Sequence, residues 1–480
     1  MKLYVPPQRV DLERWCDWTG TRWDKVRAVV GTGFRMAGPH ETIYTMAANA
    51  VLRLIQDYEV DVERVGMLAF GTESSTDNSA GAIIVKGMVD QALRDLGRRP
   101  LSRRCEVPEL KHACLGGVYA LKAALRYVAS DGAGRQAIVV CGDIAEYARG
   151  SSGEPTQGAG AVAMLVEEDP ALLALDLRNA GSASDYRGPD FRKPFARYAE
   201  RTTDAPGGKV HDYPRFSGPY STTCYVDEVI QAVAALRANL GLSAEALWHE
   251  VDDVYLHRPY HHMPQSAMAA LHVWGLAEDP SRHAELRRLC EEGGCDLDAA
   301  LAETRATPSL FDAVLGGKLD GDVYPNALAA ARRFRRTSAF GDLVASRMSR
   351  GAGRMMELGN LYTASLPAWL AAALDEAAGR GEDLSGHRVL LIGYGSGDAA
   401  EAIPATVQPG WAAAARRIGF TASLAGAIDV DRATYEALHA GLPTGDLGHR
   451  PSNELVVDHV GDRNDPEFQD AGIEYYRYVP

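Results

Sequence analysis

The chain has 480 residues, 46% of them hydrophobic, and a formal net charge of −14. That length and apolar share suit one large or two fused compact domains, and the acidic balance argues against a nucleic-acid binder, which wants a basic face. Seven cysteines in so long a chain give no disulfide framework, and no CxxC pair or His/Cys cluster has zinc-ligand spacing. The start Met1-Lys2-Leu3-Tyr4-Val5-Pro6-Pro7 lacks a charged-then-apolar signal layout, and the longest apolar run, Leu366 to Leu374, is too short for a bilayer. A cytoplasmic protein in a reducing compartment is expected, with neither membrane nor nucleic-acid partner.

Taken in chain order, short aliphatic runs alternate with amphipathic segments. Arg64 to Phe70 reads as a buried strand that ends at Gly71-Thr72-Glu73-Ser74, which sets Glu73 where a strand runs into a loop. Next comes Lys111-His112-Ala113-Cys114-Leu115-Gly116-Gly117, a polar segment running into a helical pattern that reaches about Ser130. Val118, Leu121, Leu125 and Val128 keep the spacing of one helix face. Cys114 thus falls at a helix start, where the dipole and unpaired N–H groups favour the thiolate, and the glycines leave room beside the sulfur. Taken alone, one cysteine among seven reads first as a buried structural thiol, and the rest of the chain has to overturn that.

Gln136 to Cys141 is the next strand, ending at Gly142-Asp143, and Val162 to Glu167 is another. Val251 to Leu256 ends at His257, and His387 to Ile392 opens into Gly393-Tyr394-Gly395-Ser396-Gly397. Alternating strands and helices imply a parallel-rich α/β architecture whose strand ends carry the ligand site. Residues 186–213, rich in Arg, Asp, Pro and Gly, and 279–350, charged and helical in pattern, read as surface insertions. The basic runs Arg98-Arg99 and Arg332-Arg333-Phe334-Arg335-Arg336 read as solvated helix faces. No short-period repeat is visible, and the two halves do not align by eye.

Five blocks resemble the 3-hydroxy-3-methylglutaryl-CoA synthase family of the thiolase superfamily. They are Gly71-Thr72-Glu73-Ser74, Ala113-Cys114 with its two glycines, and Gly153-Glu154-Pro155-Thr156-Gln157-Gly158-Ala159-Gly160-Ala161. The others are His257-Arg258-Pro259-Tyr260, similar to the family's His-x-Pro-(Phe/Tyr), and Gly359-Asn360-Leu361-Tyr362-Thr363-Ala364-Ser365, with Gly395-Ser396-Gly397 further on. Met46-Ala47-Ala48-Asn49-Ala50 also looks familiar. The blocks stand in family order and cover roughly residues 1–275 and 355–410. The resemblance implies a thiolase-like layered α-β-α-β-α fold of two pseudo-equivalent halves. One half, 1–170, would hold Glu73 and Cys114; the other, 171–480, would hold His257, Asn360 and the inserted segments.

The reaction so implied is a Claisen-type condensation followed by hydrolysis, on coenzyme A thioesters and with no tightly bound cofactor or metal. Acetyl-CoA acylates Cys114; Glu73, as base, removes a methyl proton; the carbanion attacks the ketone of acetoacetyl-CoA; and water frees the product. His257 would hydrogen-bond the acceptor carbonyl, and the N–H groups of Cys114 and Ser396 would form an oxyanion hole. Asn360, Ser396, Gly395, Tyr362 and Arg258 are the expected substrate contacts. A mevalonate-type pathway and a homodimer follow from the same resemblance.

Glu73 by itself reads as a loop carboxylate, and Asn360 as a turn residue after Gly359. His261 and His262 beside His257 invite a metal reading, which Pro259 and Pro264 oppose by breaking any helix that would align the three. One departure stands out. Relatives that use free CoA tend to carry lysines after the histidine; here the stretch reads His261-His262-Met263-Pro264-Gln265-Ser266, with Arg258 the nearest fixed cation. Leu115 also stands where relatives commonly have an aromatic residue. The alternative is the same chemistry on β-keto chains held by a phosphopantetheine carrier protein, as in polyketide β-branching. A non-catalytic thiolase-like acyl-binding subunit is a further reading.

Overall fold

The computed structural model describes residues 1–201 and 209–480. Part of the segment 186–213 therefore lies outside the described residues. Two five-stranded sheets organise the chain. The first is built from β1 (Lys2–Tyr4), β2 (Val65–Gly71), β3 (Glu109–Leu110), β4 (Gln136–Ala145) and β5 (Gly158–Val166), in the order β1-β5-β4-β2-β3. The second contains β6 (Leu173–Leu175), β7 (Gly181–Ser184), β8 (Asp253–Leu256), β9 (Arg388–Gly395) and β10 (Ala399–Val407). Its order is β8-β9-β10-β6, with β7 also on β10.

The two sheets repeat one pattern, a parallel pair followed by an antiparallel return. β2 runs parallel to β4, which turns back into β5; β8 runs parallel to β9, which turns back into β10. The sheets are thus more antiparallel than the alternation of strands and helices suggests. Only residues 396–398 separate β9 from β10, too few for the crossover that parallel strands need. Val65–Gly71 is buried at every position, as a central strand covered on both faces must be.

Helices fill the layers between and outside the sheets. α1 (Ile43–Asp57) and α2 (Gly81–Asp95) share an apolar core with the outer face of the first sheet. α3 (Gly116–Val128) packs on β2 and β4 from the other side, while its start presses on β9. α4 (Gly218–Leu240) covers the second sheet, α5 (Met263–Glu278) packs on α4, and α7 (Ser365–Arg380) packs on β8 and β9. Asn49, in the familiar early segment, has a structural task. Its amide donates to the Leu455 carbonyl at 2.9 Å and accepts from the Leu455 N–H at 2.7 Å.

The 279–350 segment is helical but is not a surface appendage. Five helices form it, among them α6 (Pro325–Phe334), and Leu286, Leu289, Ala327 and Phe334 enter the main core beside α5. Phe334 stacks on His272 at 3.9 Å between ring centroids. Arg335, the next residue, is therefore carried inward rather than out to solvent.

Candidate active site

One buried carboxylate ties together the turns that carry the chemistry. Because β2 and β4 are parallel and in register at Gly71 and Cys141, their C-terminal ends lie side by side. Asp143 on β4 therefore faces the turn after β2. Its Oδ1 accepts from Thr72 Oγ1 at 2.9 Å, Glu73 N–H at 2.7 Å, and Ser74 N–H and Oγ at 2.9 Å each. Oδ2 accepts from the Thr363 N–H at 3.0 Å and meets the Thr363 hydroxyl, which also lies 3.0 Å from the Gly71 carbonyl. A fully buried carboxylate needs such saturation. Burial raises its pKa, and the hydrogen bonds oppose that rise.

The turn so held aims Glu73 at Cys114, whose Sγ donates to Glu73 Oε2 at 3.3 Å. Cys114 is presented by a constrained backbone, since Ala113 before it has φ +40°, a left-handed conformation that a residue with a Cβ rarely adopts. Gly117 has a packing role rather than one beside the substrate: a Cβ there would sit 2.5 Å from Cys141 Sγ and 2.9 Å from the Thr363 carbonyl. The helix can approach β4 this closely only because that side chain is missing.

The thiol itself departs from the expectation of a stabilised thiolate. Burial, then the charges of Glu73 and Asp143, push the Cys114 pKa well up. The helix-start effect is outweighed by burial of the sulfur first, and then by the two carboxylates beside it. Glu73 is in turn raised to about 7, by burial first and then by Asp143. The pair is thus a protonated nucleophile hydrogen-bonded to a base that titrates near neutrality.

The opposite wall comes from the second sheet. His257 follows β8, its N–H bonded to the Ile392 carbonyl at 2.7 Å and its own carbonyl to the Tyr225 hydroxyl at 2.9 Å. Its ring stacks on Tyr394 with centroids 6.2 Å apart. Burial alone lowers its pKa to about 3, so the imidazole is neutral at any working pH. Asn360 lies between the walls, its Oδ1 accepting from the Tyr362 N–H at 2.9 Å and Ser365 Oγ at 3.1 Å. Its Nδ2 donates to the Tyr147 hydroxyl at 3.2 Å.

A cavity of about 240 Å³ has Cys114, His257, Asn360, Ser396 and Tyr394 on its walls. Phe191 and Phe216 add aromatic surface, packed edge-on against Tyr147 at 5.8 and 5.9 Å. Phe191 belongs to the 186–213 segment, which thereby closes one side of the cavity. The Gly153–Ala161 block stiffens this wall: Gln157 Oε1 accepts from the Tyr147 N–H at 3.2 Å, and Glu154 accepts from the Tyr435 hydroxyl at 2.6 Å.

Four expected residues stand off the cavity wall. Glu73 sits behind the Cys114 sulfur. Tyr362 is buried against Tyr147 and Phe191, in the aromatic cluster around Cys114. Gly395 packs under the Cys114 turn, where a Cβ would meet the His112 carbonyl at 2.5 Å. Arg258 points away from the cavity: it lies over Trp369 at 5.2 Å and donates to His261 Nδ1 at 3.0 Å. Burial lowers its pKa to about 9. The three histidines do not converge, for His261 turns to Arg258 while His262 turns to Arg335. The stretch from Tyr147 to Gly160 reads in the sequence as a wall of the site, and Tyr147 lines the cavity. Asp143 is the site residue that sequence reasoning passed over, and the Gly142-Asp143 pair at a strand end was the available signal for it.

The description "Hydroxymethylglutaryl-coenzyme A synthase N terminal" matches residues 1–171, and "Hydroxymethylglutaryl-coenzyme A synthase C terminal" matches residues 342–435. His257 and Arg335 lie between the two matched stretches. The hydroxymethylglutaryl-CoA synthase of Schizosaccharomyces pombe is 30% identical over 83% of this chain and 78% of its own length. That of Saccharomyces cerevisiae is 27% identical over 96% of this chain and 87% of its own. The solved structure of MvaS in complex with 3-hydroxy-3-methylglutaryl coenzyme A is 28% identical, with a TM-score of 0.76, covering 100% of this chain and 98% of that one.

Proposed function

The chain belongs to the hydroxymethylglutaryl-CoA synthase family, and from that premise we propose that it condenses acetyl-CoA with acetoacetyl-CoA, using Cys114, Glu73 and His257. It is an acyltransferase with the thiolase-like fold. The observation that carries the residue assignment is the 3.3 Å contact between Cys114 Sγ and Glu73 Oε2 at a cavity whose other walls hold His257 and Asn360.

The chemistry follows from the charges. Cys114 begins as a thiol, so its attack on acetyl-CoA needs a proton acceptor, and Glu73 is in hydrogen-bond contact with it. The S–H proton passes to Glu73 as the new C–S bond forms, and the coenzyme A thiolate leaves with that proton as CoASH. Glu73, again a carboxylate, then takes a proton from the acetyl methyl group. A base near pKa 7 suits a weakly acidic C–H far better than an ordinary carboxylate. The carbanion attacks the acceptor ketone, and the new alkoxide forms opposite His257 and takes up the proton that Glu73 carries, which restores the carboxylate. A neutral imidazole donates a hydrogen bond there without carrying charge, in a dry, aromatic setting where that bond is worth more than in water.

Water then cleaves the Cys114 thioester, giving the carboxylate product and restoring the thiol. Asn360, pinned on both sides, has one remaining amide proton for a thioester carbonyl. The shared cavity supports Cys114 and Ser396 as neighbours at the oxyanion, with Gly395 allowing the close approach. A cytoplasmic homodimer in a mevalonate-type pathway accompanies this reading. Consistent with it, no helix among the described residues is long and apolar enough to cross a membrane.

Intact-protein mass spectrometry after mixing with acetyl-CoA tests the proposal. A gain of one acetyl group, absent in Cys114→Ala, is expected. Equal consumption of acetoacetyl-CoA by the wild type and Cys114→Ala would overturn it.

A further inference from the structure

Tyr260 and Met263 form part of the cavity lining, and His262, between them in the chain, is held by a cation that has no counter-charge. Arg335, the cap residue that follows α6, donates from Nη2 to His262 Nδ1 at 3.0 Å and from Nη1 to Ser266 Oγ at 2.9 Å. Both acceptors are neutral. Among the described residues no carboxylate comes within ion-pairing distance of Arg335, whereas Arg333, two residues earlier, pairs with Glu292. Arg332 and Arg336 flank it, exposed.

A guanidinium half-withdrawn from water without an anion is unfavourable, and more so beside two like charges. Those effects, burial first and then Arg336 and Arg332, lower its pKa. Yet it is held in one orientation, with three of its five N–H donors unspent on these two contacts. His262 accepts at Nδ1, so as a neutral ring it carries its proton on Nε2 and adds a donor. It is neutral because burial, then Arg335, lower its pKa to about 4. His262 is the N-terminal cap of α5 and Ser266 lies one turn on, so the positive end of that helix strengthens the same field.

The geometry points to a phosphate-binding cradle, built from Arg335 and His262, that holds the phosphate end of the pantetheine thioester entering the cavity. This rests on the thioester reading of the site. It supplies, from the helical 279–350 segment, the cation that the turn after His257 lacks. Phosphate groups suit a planar fork of donors, and each such charge-assisted contact is strong enough to read as a change in affinity.

The test uses the full chain and four ligands: CoA, acetyl-CoA, acetyl-phosphopantetheine and acetyl-pantetheine. Calorimetric binding of CoA to Cys114→Ala and to Cys114→Ala/Arg335→Gln reads the cradle without any chemistry. The expected loss is about ten- to a hundredfold in Kd, with Arg333→Gln as the unaffected control. In acetylation of Cys114, Arg335→Gln should raise KM for acetyl-CoA by a similar factor while leaving kcat, and should leave acetyl-pantetheine unchanged. A matching loss with acetyl-phosphopantetheine assigns the contact to the pantetheine phosphate, which a carrier protein also offers. A loss confined to acetyl-CoA assigns it to the adenosine-side phosphates. An unchanged Kd for CoA, or an equal loss with acetyl-pantetheine, overturns the cradle. Normal CoA binding with no acetylation by any thioester would leave the cradle standing and overturn the catalytic reading instead.

Discussion

The two walls of the cavity respond to burial in opposite directions. On the first-sheet wall, burial and the proximity of Asp143 raise Glu73 to about 7 and hold Cys114 as a thiol. On the second-sheet wall, burial alone lowers His257 to about 3. One physical cause, loss of water around a charged form, leaves an acid protonated and a base unprotonated. The teaching is a division of labour. Protons move on the Glu73 wall, where the groups titrate near working pH, and the His257 wall offers a fixed neutral dipole where charge develops.

Removing the nucleophile breaks the comparison most completely. Cys114→Ser should lower acetyl transfer by at least about a thousandfold, since a hydroxyl is far harder to ionise than a thiol even with Glu73 adjacent. Loss of the methyl-group base comes next. Glu73→Ala is expected to be acetylated still, but more slowly: the thiol loses its proton acceptor, and removing one of the charges that raise its pKa offsets that only in part, because burial is the larger cause. Its condensation rate should fall about 10²- to 10⁴-fold. Blocked acetylation, seen by intact mass, would show that Glu73 serves the first step above all.

The histidine wall should show a more selective loss. His257→Ala is expected to acetylate at the wild-type rate and to condense about 10²- to 10³-fold more slowly. With His257 neutral above about pH 3, the rate profile should carry no limb belonging to it. The limb that appears is that of Glu73: activity should rise as pH increases through about 7, as the raised carboxyl gives up its proton. A falling rate over that range would reverse the assignment.

Asp143→Asn sharpens the contrast with the smallest effect. Removing its charge should move the Glu73 limb to lower pH while any residual His257 behaviour stays put. The amide also cannot accept at both ends of the clamp, so about 1–3 kcal/mol of stability should be lost in denaturant unfolding. An unmoved limb would mean that burial alone sets the Glu73 pKa.

Much of this site was legible along the chain. Glu73, Cys114, His257 and Asn360 stand at strand ends, helix starts and turns, and their spacing with the Gly153–Ala161 block carries the family resemblance. The alternation of apolar runs also marked the strands that form both sheet cores. Other features belong to contacts across hundreds of residues. Asp143 holds Thr363, 220 positions away. Arg335 reaches His262 across 73. The basic run at 332–336 resembled any solvated helix face, because its pattern does not reveal that Phe334 is buried against His272 and turns Arg335 inward. The charge state of Cys114 was misread for the same reason: a helix start is local, whereas the burial and the two carboxylates that oppose the thiolate come from other parts of the fold.

The sequence by itself determined which chemical groups are present, which secondary elements carry them, and hence the kind of reaction they serve, because local pattern and side-chain chemistry are written residue by residue. Tertiary structure alone decided their protonation, the neutral wall opposite the proton-moving one, and the placing of Arg335 on His262 without an anion. Those properties depend on water removed and charges brought near, and only the folded packing sets either.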